Sequence, residues 1–424
     1  MRPLERFLSL EAGSASLLMA AAVAALVWSN VDGASYESFW STKLAVELGP
    51  LEFEEDLLHI VNDLLMAVFF YVVALEVKRE LVFGSLRDPS TAAVPVAAAL
   101  GTMVGGAVVY LLVNFDGGEL RGWAVPIATD IAFAVGVLGL AGRRAPRELR
   151  AFLLTLAVVD DLGTIAVIGL FFSEGLAPVW LAAAAGLALI VVVLQRLEVR
   201  HIAPYLVLAG ALWLATLESG VHPTIAGVVL GFLTPAVAFH SRGVAGGRIA
   251  DRLGEVSRSP DVELSESTMW DVSRVAREGV SPLARMEDQL HPWSAYMILP
   301  LFALANAGVA LSLEQIGDAL TGQVGLGIAL GLVVGAPIGG VLLAWLLVRF
   351  SPARLPEGLD WPAIGGVAPL KGIGFTVAIF ISVLAFDDEA LRQEAKLAIL
   401  LASCVAGVLG LGVLYARHVV LTRR

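Results

Sequence analysis

The stretch LTLAVVDDLGTIAVIGL, Leu154–Leu170, decides the fold: two adjacent carboxylates, Asp160 and Asp161, lie in the middle of an otherwise uncharged apolar run. Such a run belongs either to a soluble core or to a bilayer crossing, and composition separates the two. The 424-residue chain is 58% apolar and 16% charged, with a mean hydropathy of +0.81. Soluble domains sit near ~45–50% apolar and ~25% charged. About 20 apolar residues cross a bilayer, and reading outward from the Asp pair gives roughly twelve runs of that kind. They lie near 12–30, 57–77, 91–114, 123–141, 151–173, 177–195, 202–218, 221–239, 292–312, 323–348, 362–385 and 394–416. The fold class predicted is an all-α polytopic membrane protein, with spans 1–8 in residues 1–239 and spans 9–12 in 291–424.

Charge refines this. A net charge of -11 argues against nucleic acid, which requires a basic face. The single cysteine, Cys404, excludes a disulfide framework and a Cys-based metal site. Glu5 and Glu11 flank the first apolar run and no clean A-x-A site follows, so it reads as a span rather than a cleaved signal. With the N-terminus inside, 23 of the 28 basic residues fall in inner segments, among them Arg143, Arg144 and seven arginines between Arg242 and Arg285. Four fall outside (Lys43, Arg121, Arg392, Lys396), and Lys371 lies within a span. That bias places both termini in the cytoplasm.

Two connections stand out. Residues 43–54 alternate around Gly49-Pro50, with Leu44, Val46, Leu48, Leu51 and Phe53 on one phase. They read as an outer β-hairpin, and an open hairpin edge invites a second copy, hence a homodimer. Residues 240–290 are polar and read as a flexible cytoplasmic linker ending in a helical lead-in at 268–290, with no separate globular domain.

An ionised side chain at the bilayer centre costs about 2.5–3.5 kcal/mol on insertion scales. The intramembrane charges are therefore the informative residues: Asp63, Asp130, Asp160, Asp161 and Lys371. Neighbouring helical residues point about 100° apart, so Asp160 and Asp161 face different partners. Asp130 lies in AVPIATDIAFAVG (124–136), and Lys371 in IGGVAPLKGIGFTVAIF (364–380). Proline and glycine interrupt both segments, spans 4 and 11, which is tolerable only beside protein or a watery cavity. Two such broken, crossing helices in corresponding places point to a midplane site between inverted repeats. Each break would bring half-helix ends carrying about half an electron of charge face to face; Asp130 and Lys371 offset that charge. A carboxylate pair in a low dielectric holds protons in a coupled way and offers hard oxygen ligands to Na⁺ or Li⁺. One site held alternately by a cation or by protons is an antiporter site. The GxxxxGK[ST] pattern is absent, so no ATP and no other cofactor is expected.

The residues NDLLMAVFFYVVALEVKREL, PIATDIAFAVGVL, VVDDLGTIAV, SGVHPTIAGVVLGF, HPWSAYMILPLFALANAGV and KGIGFTVAIFI resemble the NhaA-type Na⁺/H⁺ antiporters. The likeness covers nearly the whole chain apart from the linker near 241–280. It implies twelve spans in the cytoplasmic (inner) membrane of a bacterium, a homodimer joined through the outer hairpin, and inward protons exchanged for outward Na⁺ or Li⁺. It also implies that Asp161 is the main cation and proton ligand and Asp160 its partner acid, which in the family meets a membrane lysine. Thr129 and Asp130 match the broken-helix pair, and Asp63 an acid near the outer funnel. Glu76, Lys78, Arg79, Glu80, Glu287, His291 and His222 match positions where the family's pH response is placed.

Two departures are visible. Where the family usually carries a GKP lysine in span 10, this chain has Gly335-Ala336-Pro337, and Lys371 appears instead in span 11. Charge balance suggests that Lys371 supplies the missing cation, pairing with Asp160 or offsetting the half-helix ends. Asp288 stands where the family often has histidine, which bears on the pH threshold. Two other readings compete. An intramembrane aspartyl protease needs its acids on two helices and a GxGD-type motif, which is absent. A proton-coupled transporter of a small organic solute needs donors shaped to that solute, whereas this midplane offers carboxylates, a lysine, a threonine and glycines.

Overall fold

The computed structural model describes residues 3–48, 51–140, 147–173, 175–258, 262–356 and 358–422. It is overwhelmingly helical. Among the described residues, seven helices are long and apolar enough to cross a membrane: Gly13–Val31, Leu57–Phe83, Pro89–Asn114, Glu148–Phe171, Pro178–Arg196, Gln323–Phe350 and Glu389–Ala416. Two further pairs pass the same test jointly but are bent. Leu120–Ile127 meets Ile131–Leu140 at 43°, and Trp361–Gly372 meets Phe375–Ala385 at 46°. Pro126 and Pro369 each remove a backbone donor just before a break, and Gly374 lies within the second.

The seventh expected span is the helix Ile202–Glu218, and the next two differ in extent. The eighth, expected over 221–239, contracts to Thr224–Leu233 because Pro223 opens the helix and Pro235 cannot continue it. The ninth, expected to begin at 292, is preceded by the helix Pro282–Trp293, continues through a π turn over Ser294–Ile298, and ends with Leu299–Asn306.

Strands Lys43–Leu48 and Leu51–Asp56 pair antiparallel, from Lys43 opposite Asp56 to Leu48 opposite Leu51. The Gly49-Pro50 turn, like Arg143 and Arg144, lies outside the described residues. The 240–290 stretch differs from the flexible linker expected. It holds two packed helices, Arg242–Arg258 and Val262–Glu278. Its polar composition hides an amphipathic spacing in which Ile249, Val272 and Val275 are half-buried. The lead-in expected as one helix over 268–290 is split at Gly279–Ser281, where the Ser281 hydroxyl accepts from the Ala284 N–H at 3.3 Å and starts a new helix at Pro282. Arg200 donates to Glu278 at 2.6 Å and His240 Nε2 stands 3.2 Å from the same carboxylate, which fastens the helix pair to the 178–196/202–218 connection.

The platform behind the bent pairs is the contact between helices 89–114 and 323–350. A β-carbon added at Gly101 or Gly105 would strike the carbonyl oxygens of Gly339 and Gly335, and one added at Gly335 or Gly339 would strike those of Gly105 and Gly101. The backbones therefore touch, as small residues permit in membranes. The same helices support the breaks. Gly106 abuts the Pro126 carbonyl, Gly331 the Pro126 ring, and Gly372 the Leu332 carbonyl. Gly339→Val is expected to lower the thermal unfolding midpoint in detergent markedly, since overpacking costs about 1–3 kcal/mol. Gly365→Ala, whose added carbon meets nothing within 4 Å, is expected to leave the midpoint unchanged. Equal midpoints for both variants would contradict the packing described.

Candidate functional site

The two helix breaks lie against each other. The Asp130 N–H donates to the Ile373 carbonyl at 2.8 Å, tying residue 130 of one break to residue 373 of the other. The Asp130 carboxylate then serves both outgoing half-helices. Its Oδ1 accepts from the Phe133 N–H at 3.0 Å, and its Oδ2 accepts from the Thr376 N–H at 3.2 Å and hydroxyl at 2.5 Å. One anion thus caps two helix N-termini, where backbone N–H groups and the macrodipole favour negative charge. The opposite charge appears at the C-terminal end of a half-helix, where Lys371 occupies the last turn before the second break.

Asp160 is sealed. It is 1% exposed, as is Lys371, and the two form an ion pair through Lys371 Nζ and Asp160 Oδ2. The Thr102 hydroxyl lies 3.3 Å from Asp160 Oδ1 and 2.7 Å from the Ala99 carbonyl, and its one proton serves either. The Thr129 hydroxyl lies 3.2 Å from Asp160 Oδ2 and 3.0 Å from the Lys371 carbonyl, and its one proton serves either. Ala336, at the family's lysine position, is buried in the adjacent helix at 2% exposure. The amine beside Asp160 therefore comes from the neighbouring broken helix.

Asp161 has a different setting. It is half-buried and lines a cavity of about 500 Å³ together with Thr129, Asp130, Thr376 and Val377. Among the described residues its carboxylate takes part in no side-chain hydrogen bond, whereas Asp160 and Asp130 have theirs filled. Asp161 is the acid of the pair that faces open space.

From Asp161 the cavity runs along one face of helix 148–171, past Val158, Thr155 and Ala151, to a polar rim of Glu76, Arg79, Glu80, Ser85 and His291. The rim residues are cross-tied. Arg79 pairs with Glu287 at 2.5 Å, His291 Nε2 stands 3.6 Å from Glu76, and Glu80 accepts from the Ser85 N–H at 2.7 Å. Glu287 precedes the apolar part of its helix, and burial pushes its carboxyl up while Arg79 pulls it back. Lys78 is placed elsewhere: its ammonium donates at 2.6 Å to both the Phe232 and Thr234 carbonyls, closing the C-terminus of helix 224–233. Asp63 and His222 lie 3.7 Å apart at the other end of the bundle, away from the rim.

Sequence reading missed Thr376 and Thr102. Thr376 follows the Gly372-Ile373-Gly374 break, where a hydroxyl at a helix start is a capping signal. Nothing in the apolar run around Thr102 shows which way its hydroxyl points.

Two helices bent at facing breaks, a sealed Asp–Lys pair and a cavity ending on a second acid define a secondary membrane transporter. The family model "Na+/H+ antiporter 1" matches residues 5–414, and the chain belongs to that family. Relatives include the Na(+)/H(+) antiporter NhaA of Rhodopirellula baltica, 42% identical, with 98% of this chain and 94% of that protein covered. The NhaA of a Janthinobacterium species is 43% identical (96% and 91% covered), and NhaA 2 of Myxococcus xanthus 44% (97% and 88% covered).

Removing one partner of a buried ion pair strands the other, at a cost of about 3–5 kcal/mol. Lys371→Met is therefore expected to destabilise the protein strongly, and Asp160→Asn combined with Lys371→Met to recover most of the loss. A thermal unfolding series in detergent checks this; additive losses in the double variant would show that the two side chains are not coupled.

Proposed function

We propose that the protein exchanges Na⁺ or Li⁺ for H⁺ at Asp161 and Asp160, as a multi-pass protein of the cytoplasmic membrane with both termini inside. The observation that supports it most is the contrast within the pair: Asp161 faces a cavity without a side-chain hydrogen bond, while Asp160 beside it is held by Lys371. A bare cation entering the cavity finds hard oxygens in the Asp161 carboxylate and the Thr129 hydroxyl. To engage Asp160 as well it must compete with the Lys371 ammonium. Protons and cation thereby exclude each other, since a neutral carboxyl is a poor cation ligand. The relatives are named as Na⁺/H⁺ antiporters, and transport of an organic solute finds no support in them.

Asp130 is committed to the two helix starts and acts as a fixed compensating charge. Thr129 belongs to the cation shell. The rim of Glu76, Arg79, Glu80, Glu287 and His291 lies at the cytoplasmic mouth, where protonation biases access to the cavity. Burial pushes the Glu287 carboxyl above the usual carboxylate range, against the pull of Arg79. Protonation there weakens its attraction for Arg79 as pH falls. Lys78 braces the rim through the helix end it closes. Asp63 and His222 line the outer funnel. Two copies of the chain join at the open edges of strands 43–48 and 51–56; a cysteine replacing Lys43 is expected to cross-link to its copy in the membrane, and its failure to do so at any oxidant level would exclude that interface.

Inside-out vesicles with a respiration-generated proton gradient test the exchange. NaCl and LiCl, but not KCl, are expected to collapse the gradient with the wild-type chain. Asp161→Asn, shown to be inserted and folded, should abolish the effect. In the same assay Glu287→Gln is expected to flatten the acid side of the pH profile. A wild-type chain that responds to neither Na⁺ nor Li⁺ at any pH would overturn the proposal.

A further inference from the structure

The cavity ends where three spans each contribute a phenylalanine. Along helix 57–83 the lining runs from Glu80 through Glu76 and Val73 to Phe69; along the ninth span it runs from His291 through Ser294 to Leu299; along helix 375–385 it stops at Thr376 and Val377. Within one turn of each stopping point stand Phe70, Phe302 and Phe380, which are 3%, 0% and 1% exposed. None of them lines the cavity. Phe380 is the hub. Its ring lies 5.6 Å from Phe70 and 6.2 Å from Phe302, centre to centre, and its far side meets the His222 ring edge-on at 5.3 Å.

Polar groups resume beyond the rings. Asn306 donates to Asn62 at 2.8 Å and Asn62 returns a longer bond at 3.4 Å, both residues being buried. His222 and Asp63, partly exposed, complete that side. Seven residues separate Phe70 from Asp63, which is about 10 Å at 1.5 Å per helical residue. The aromatic layer and the amide pair thus lie between the cavity and the polar groups at the other end.

We propose that Phe380, clamped between Phe70, Phe302 and His222, is the outer gate of the exchange route. This rests on the transport reading above and adds the element that closes its far side. A layer of packed apolar rings excludes water without any charge, because a hydrated ion or a chain of waters finds no hydrogen-bond partners there. Phe380 is well placed to couple gate and site. It sits one helical turn beyond Thr376, whose hydroxyl binds Asp130 at the crossed breaks. A shift of helix 375–385 that disturbs the Thr376–Asp130 bond moves the Phe380 ring, and the outer side opens only when the site has changed. Phe380 touches no ion in this scheme; it is a positioning and sealing residue.

The test separates sealing from exchange by leaving sodium out. Purified protein is placed in sealed liposomes, a potassium diffusion potential is imposed with valinomycin, and proton entry is followed with a pH dye in sodium-free buffer. Wild-type liposomes are expected to be as tight as protein-free ones. Phe380→Ala, confirmed to be folded by its unfolding midpoint, is expected to raise proton entry by about tenfold or more, as a wetted constriction conducts. Phe380→Leu, which keeps most of the volume, should restore tightness; a purely structural role for the ring would not produce that pattern. If Phe380→Ala does not fold, Phe302→Ala carries the same expectation. A folded alanine variant as tight as wild type would overturn the gate. Absence of Na⁺-driven exchange by the wild-type chain would instead overturn the transport reading.

Discussion

Everything at the centre of this molecule follows from one constraint: backbone N–H and C=O groups freed by a helix break have no water to bind inside a bilayer. The chain satisfies them by laying two breaks against each other. Asp130 closes two half-helix starts with one carboxylate, and its own N–H goes to the Ile373 carbonyl of the facing break. A carboxylate is required because neutral caps would leave two converging positive helix ends uncompensated. With its oxygens spent in this way Asp130 serves as a fixed cap, and the proposed exchange gives the role of exchangeable ligand to the aspartates of the neighbouring straight helix.

The straight helix supplies two acids with contrasting fates because adjacent residues on a helix face different surroundings. Asp160 turns into the crossed breaks and meets Lys371, while Asp161 turns toward the cavity. The site is asymmetric by geometry alone. It holds a fixed, neutralised acid beside an accessible one, and a cation has to disturb the first to be held by both. The glycine seam between helices 89–114 and 323–350 makes this possible by letting two backbones approach so closely that the breaks rest directly on them. The aromatic layer around Phe380 packs beyond the inner end of the cavity, where the proposed gate lies.

The membrane class, most spans and the intramembrane charges were legible in the sequence because each is a local signal: apolar length, proline and glycine punctuation, and ions where ions are costly. The 240–290 stretch was not. Its amphipathic spacing is weak against a polar background, and it reads as linker until Glu278 is seen tied to Arg200 and His240. Lys78 reads as one more rim charge, yet its ammonium is taken up by two carbonyls of helix 224–233 that lie more than 150 positions away in the chain. The contraction of the eighth span was legible in principle, since Pro223 and Pro235 bracket it.

By itself, the sequence determined that this is a polytopic helical membrane protein and singled out Asp160, Asp161 and Lys371 as charges within apolar spans. Those readings rest on residue type, spacing and the cost of charge in hydrocarbon, whereas the absence of a lysine at Ala336 is visible only against the family it resembles. Tertiary structure alone decided which acid is sealed and which is open, that Asp130 is a double cap, that Thr102 and Thr376 complete the polar network, and that three phenylalanines from distant segments meet. The physical reason is the same each time: hydrogen bonds, ion pairs and ring contacts depend on the direction of a side chain and on residues far away in sequence. An apolar helix, buried on several sides, carries no periodicity that reveals either.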